Sequence, residues 1–121
     1  MMRTIVAAAT LSLMVASPAL ADSTAPRDRT GYRAIAAGDL ALAERDLVAE
    51  RRIFPQRPEL MLNLAAVYAR TGRVAEARAL YDAALNAPAV ELDISGGKVA
   101  TSHEVARAGQ AMLSSGQIAS R

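Results

Sequence analysis

Apolar and small residues recur at helical spacing along most of this chain, and the plan itself is repeated. Met61, Leu64, Ala65, Tyr68 and Ala69 fall on one helical face, and Val74, Ala77, Tyr81, Ala84 and Leu85 fall on another. Pro58-Glu59 suits the start of the first of these helices, because Pro fits an opening turn and an acid suits the positive end of the helix dipole. Gly72, between the two, can take the left-handed conformation that ends a helix, and Pro88 stops the second. Shifted by 34 residues, the chain repeats itself. Ala37-Gly38 aligns with Thr71-Gly72, Leu40 with Val74, Ala43 with Ala77, Leu47 with Tyr81 and Gly31 with Ala65. The first copy therefore predicts a helix from about Pro26 to Gly38. A second follows from about Asp39 to Pro55, with Leu40, Ala43, Leu47 and Phe54 on one side. Gly31 and Ala65 mark the points where paired helices come closest.

After Ala89 the period changes. Val90, Leu92 and Ile94 alternate with Glu91, Asp93 and Ser95, Gly96-Gly97 makes a two-residue turn, and Lys98 to Ala100 return. This predicts a β-hairpin over residues 90–100, which must lie against the helices or a partner because an isolated hairpin is marginal in water. Thr101-Ser102-His103-Glu104 fits a capping box, and a helix over 102–114 follows, with Val105, Ala108, Met112 and Leu113 available for burial. Gly109 lies 44 residues after Ala65, and Ser115-Gly116 lies 44 after Thr71-Gly72. The helix reads either as the first half of a third repeat, displaced by the hairpin and left unfinished, or as an unrelated capping helix.

A 34-residue helix–turn–helix period is that of the tetratricopeptide repeat, and the chain resembles that family over about residues 24–91. "NLAAVYARTGRVAEARALYDAAL" carries the likeness best: Leu64, Ala65, Tyr68, Gly72, Ala77, Tyr81 and Ala84 all fall on signature positions. In the first copy Gly31, Ala43, Leu47 and Pro55 fit, while Thr30 and Glu50 depart from the pattern. The resemblance implies an all-α protein: a short α/α superhelix of helical hairpins, repeats 24–57 and 58–91, carrying the β-hairpin as an insertion and a C-terminal capping helix. It also implies a protein-binding role, with the first helix of each pair lining a concave face. On that face it places Tyr32, Ile35, Leu62, Asn63, Ala66 and Arg70. Asn63 falls where an amide often holds a ligand's backbone, and Arg70 could meet a carboxylate; plain solvent exposure is the competing account of both. Asp28 and Ala66 stand where the family's charged clamp would place Lys and Asn, so recognition of a C-terminal carboxylate is not implied.

The first 21 residues carry a different signal. "MMRTIVAAATLSLMVASPALA" has one positive charge near the start, an apolar run from Ile5 to Val15, and Ala19 and Ala21 at a small-x-small site. A secretory signal over 1–21, cleaved after Ala21, is expected. As a membrane anchor the run is short of the roughly 20 apolar residues of a span, and Ser17-Pro18 interrupts it. The remaining domain, 22–121, loses only Arg3 among the charges and keeps 13 bases and 12 acids. That balance excludes the basic stripe of a nucleic-acid binder. There is no Cys, hence neither a disulfide nor the Cys that bacterial lipoproteins acylate. The excess of Arg over Lys and the abundance of Ala point to a GC-rich bacterial genome, so export means the periplasm or the medium.

Candidate chemistry is sparse. His103 is the only His, and its neighbour Glu104 points away from it on a helix, so His103 reads as an exposed first-turn residue and no metal is expected. "SGGK" at 95–98 lacks phosphate-loop spacing, and Asp93 alone is a poor calcium ligand. Glu50-Arg51-Arg52 reads as a solvated helix end. No catalytic constellation or cofactor site emerges. The expected function is an exported protein–protein interaction module, an adaptor or assembly factor of the bacterial cell envelope, binding a protein or peptide and not an enzyme. The alternative is a structural, self-associating envelope protein that pairs through the 90–100 hairpin edge. A small enzyme or ligand carrier would need a closed pocket that the sequence does not announce.

Overall fold

The computed structural model describes residues 29–94 and 96–119. The expected signal segment, the expected helix start near Pro26, and Asp28 lie outside them. Seven elements follow in order: α1 (Tyr32–Ala36), α2 (Leu40–Ile53), α3 (Pro58–Arg70), α4 (Val74–Asn86), β1 (Glu91–Ile94), β2 (Lys98–Thr101) and α5 (Ser102–Ala119).

The 34-residue repeat is written in hydrogen bonds as well as in sequence. At the end of α1, the Gly38 N–H donates to Ile35 and the Asp39 N–H to Ala34. At the end of α3, the Gly72 N–H donates to Ala69 and the Arg73 N–H to Tyr68. Both ends are Schellman motifs, and each requires a left-handed residue after the cap. Gly38 and Gly72 supply it with φ of 77° and 79°.

The turns then diverge. Asp39 caps α2 with its carboxylate, accepting from the Leu42 N–H at 3.1 Å. At the aligned position stands Arg73, which has no side-chain cap to give α4. Its guanidinium instead reaches back to α2 and grips Glu44 with two bonds, 2.7 and 2.5 Å, while lying 4.2 Å from the centre of the Tyr68 ring. The second turn is thus strapped to the first hairpin.

Two expected boundaries need correction. No helix runs through Gly31: its φ is 67°, which no interior helical residue adopts, and α1 begins only after it. The expected close approach does hold, since a Cβ on Gly31 would stand 2.9 Å from Leu47. At the other end, α5 does not stop near Ser114. Ser115-Gly116 is not a copy of Thr71-Gly72, because Gly116 keeps a helical φ and the Ser115 hydroxyl bonds back to the Ala111 carbonyl within the helix. A glycine inside a helix costs only about 1 kcal/mol relative to Ala. It ends a helix where the next residue supplies the Schellman bond, as Arg73 does.

The core runs along α3, which lies among α2, α4 and α5. Leu60, Met61, Leu62, Leu64, Ala65 and Val67 are all buried, more than one amphipathic face would hide, because α3 is covered on several sides. Leu47 from α2, Tyr81 and Ala84 from α4, and Ala106 and Leu113 from α5 complete it. The β-hairpin pairs Glu91 with Thr101 and Ile94 with Lys98, so its connection is residues 95–97 and not a two-residue turn.

Buried Ser102 fastens this hairpin to the helices. Its N–H donates to the Val90 carbonyl and its hydroxyl accepts from the Val90 N–H. The capping box forms as expected: the Glu104 N–H donates to the Thr101 hydroxyl, and Glu104 accepts from the Thr101 N–H. His103 is not the exposed residue expected. It is half-buried, and its Nε2 lies 2.7 Å from the Ala87 carbonyl, which can only accept, so Nε2 carries a proton. This bond ties the start of α5 to the end of α4.

Candidate functional site

α1, α3 and α5 line one side of the stack, and the hairpin folds over part of it. The expected concave face is thereby divided in two. At its N-terminal end, Tyr32, Leu62 and Asn63 share a cleft of about 360 Å³ with Thr30, Glu59, Leu92, Asp93, Ile94 and Val105. At its C-terminal end, Ile35, Ala66 and Arg70 share a larger groove of about 620 Å³ with Ala69, Val74, Tyr81, Gly109, Met112, Leu113 and Gly116. The six expected residues do not form one surface.

Their individual states separate them further. Leu62, expected to face a ligand, is buried and lies beside Leu92 and Val105 of the covering elements. One N–H of the Asn63 amide is taken up within the molecule. Its Nδ2 donates to the Thr30 carbonyl at 2.7 Å, joining α3 to the residue just before Gly31. Tyr32 is 61 % exposed at the cleft rim. Ile35 and Ala66 are half-buried on the groove wall, and Arg70 is exposed at its mouth. Among the described residues Arg70 is the only charged one lining this groove, and it forms no ion pair.

Three features of the groove were absent from the expected site. Gly109 makes room for Tyr81: a Cβ there would fall inside the space of the Tyr81 ring, so α5 and α4 approach closely only because position 109 is bare. Burial pushes the Tyr81 phenol above its usual range and keeps it neutral. Met112 forms the far wall with 75 % of its surface exposed, a large flexible apolar group of the kind that adapts to a partner. The 44-residue offset pointed to Gly109. Met112 appeared only as a residue available for burial, because a helical period cannot tell a buried face from a groove wall.

The strap ties Arg73, in the loop between Arg70 and Val74, to Glu44 of α2. The Arg73 hydrogen bonds hold the Glu44 carboxyl below its usual range. Burial raises the Tyr68 phenol, and the Glu44 carboxylate adds to that rise. Among the described residues no group of three or more His, Asp or Glu converges as a metal site would require.

The two Schellman turns and the 34-residue register agree with the family comparison. Residues 34–91 match the tetratricopeptide repeat family. These residues are tetratricopeptide repeats. The match takes in most of α1, all of α2, α3 and α4, and reaches the first residue of β1, whereas the resemblance read from sequence began near residue 24. The rest of the hairpin and α5 lie outside the repeat match and carry Leu92, Met112 and Leu113 to the two clefts. No curated protein and no solved structure gives a significant match to the chain. Tetratricopeptide repeats generally mediate protein binding, and the family is typically non-catalytic.

Proposed function

We propose that this chain is an exported adaptor or assembly factor of the bacterial cell envelope that holds a partner segment in the groove between α3 and α5. The observation that carries the reading is the groove's chemistry. Its walls are largely apolar, from Ile35, Ala66, Met112 and Leu113, and among the described residues one cation, Arg70, stands at its mouth. Such a site suits a segment with a few apolar side chains and one acid. The cleft under the hairpin is a poorer candidate, because Leu62 is covered and Asn63 already donates to Thr30. The leader-like residues 1–21 support export, with cleavage after Ala21 giving a chain that starts at Asp22.

The competing account, self-association through the hairpin edge, meets an electrostatic obstacle. Val90 pairs with Ser102, and the Thr101 N–H turns away to Glu104. By the alternation of an antiparallel ladder, Glu91 and Asp93 then direct their backbone groups outward. A second β1 strand paired there would bring acids against acids.

Affinity capture of the tagged protein from its native envelope tests the proposal. A variant carrying Ile35→Glu and Arg70→Glu is expected to lose the captured partner while keeping wild-type helicity by circular dichroism. Leu92→Pro, which breaks the hairpin, is expected to retain it. Capture that survives the groove variant and fails with Leu92→Pro would reverse the assignment. Recovery of the protein from the cytoplasm with Met1 intact would defeat the export claim.

A further inference from the structure

We propose that the corner between α2 and α3 docks peripherally on a phospholipid surface bearing anionic headgroups. From Arg51 to Pro58 the sequence reads RRIFPQRP, with three arginines and no acid; Arg52 and Arg57 are exposed, whereas Arg51 is half-buried. Two large apolar side chains stand out from this corner: Ile53 is 66 % exposed and Phe54 42 % exposed. The Arg57 guanidinium carbon lies 5.6 Å from the centre of the Phe54 ring, so a cation and an aromatic tip project side by side. Arg52 is exposed next to Ile53.

The corner is also held in shape. The Phe54 N–H donates to the Glu50 carbonyl, the Arg57 N–H donates to the Phe54 carbonyl, and Pro55 and Pro58 fix their own φ angles. Docking it therefore orders little that is not already ordered. Among the described residues neither flanking acid, Glu50 or Glu59, forms an ion pair with Arg52 or Arg57.

This chemistry fits a lipid interface. Apolar side chains seat at the boundary between headgroups and acyl chains, aromatic rings favour that depth, and guanidinium groups meet phosphate with paired hydrogen bonds. An acidic protein would satisfy the arginines but leaves Ile53 and Phe54 unexplained. Protein hot spots seat apolar anchors in pockets, whereas a bilayer accepts projecting ones. Among the described residues no helix is long and apolar enough to cross a membrane, so the contact is peripheral. The corner and Arg70 lie at opposite ends of α3, about 18 Å apart at 1.5 Å per residue. A surface-bound molecule can thus present its groove at the same time, and the inference stands whether or not the groove reading holds.

Flotation of the full chain with vesicles of phosphatidylcholine, alone or with about one-quarter phosphatidylglycerol, tests it. Residues 1–21 are the same in every variant, so differences between variants on the same vesicles come from the corner. The part of the additional binding to anionic vesicles that the variants lose measures the corner. The increment itself is expected to fall by roughly thirty-fold in Arg52→Gln/Arg57→Gln, the effect of removing two interfacial cations, and to weaken at high salt. Ile53→Ser/Phe54→Ser is expected to reduce it by roughly ten-fold or more, with helicity unchanged. An increment equal in wild type and both variants would overturn the proposal. So would wild-type protein that ignores anionic vesicles and instead binds polyglutamate through the same arginines, which would make the corner a site for an acidic protein.

Discussion

Gly109 and Gly116 lie seven residues apart on α5 and are opposite cases. A side chain at 109 has nowhere to go, because the Tyr81 ring beside it is itself buried. A Cβ added at 116 would meet no other side chain or element within 4 Å among the described residues. Gly109→Ala is expected to cost about 1–2 kcal/mol net, overpacking against Tyr81 outweighing the gain in helix propensity. Gly116→Ala is expected to stabilise by about 0.5–1 kcal/mol. Denaturant titration of the two variants reads both signs.

Glu44 gives a second test at this scale. Its carboxyl is held low by Arg73, so the strap contributes stability above the ordinary carboxylate range near ~4.3 and loses it as pH falls through the depressed value. Glu44→Gln is expected to lower stability at neutral pH and to converge with wild type in strong acid. A stability difference independent of pH would show that the ion pair is not what the substitution removes. Single residues were unequally legible in the sequence. Gly31, Gly38, Gly72 and Gly109 stood out through the repeat offset, because small residues at fixed spacing mark turns and close approaches. The Arg73–Glu44 pair did not, since its members are 29 residues apart and neither follows a local pattern.

Among the elements, the hairpin shows where sequence periodicity succeeds and where it stops. Strict alternation over Val90–Ile94 predicted a strand, and a strand forms. Nothing in that alternation revealed that it would cover the N-terminal end of the concave face. Placement depends on Ser102, whose buried hydroxyl takes the Val90 N–H, and on His103, which holds the Ala87 carbonyl. The capping box was readable from Thr101 and Glu104 alone because it is local. The length of α5 was not, because a glycine ends a helix only with help from its neighbours. Ser102→Ala leaves the Val90 N–H without its side-chain partner and is expected to cost about 1–3 kcal/mol. Its signature should be local: amide hydrogen exchange should accelerate in β1 and β2 well before it does in α3. Uniform acceleration across the chain would mean that the hairpin is not an independently anchored unit.

For the whole molecule, the repeat architecture followed from a 34-residue period, but the binding surface did not. The period fixes which helices face inward; it says nothing about an insertion that lies across them. Leu62 is lost to the candidate surface for that reason, and Asn63 commits one amide N–H to Thr30 instead, while Ile35, Ala66 and Arg70 remain open. What remains is a half-length groove whose far wall comes from α5. The central claim is that a partner lies in this groove. Site-specific photo-crosslinking in the native envelope tests it most directly, with the crosslinker at Met112 on the groove wall, at Val99 on the hairpin, and at exposed Ala79 of α4, which lines neither cleft. The account predicts one discrete partner adduct from position 112, lost when Arg70 is replaced by Glu, and none from 79 or 99. An adduct from 99 but not 112, or a product from 112 at the mass of two copies of this chain, would contradict it.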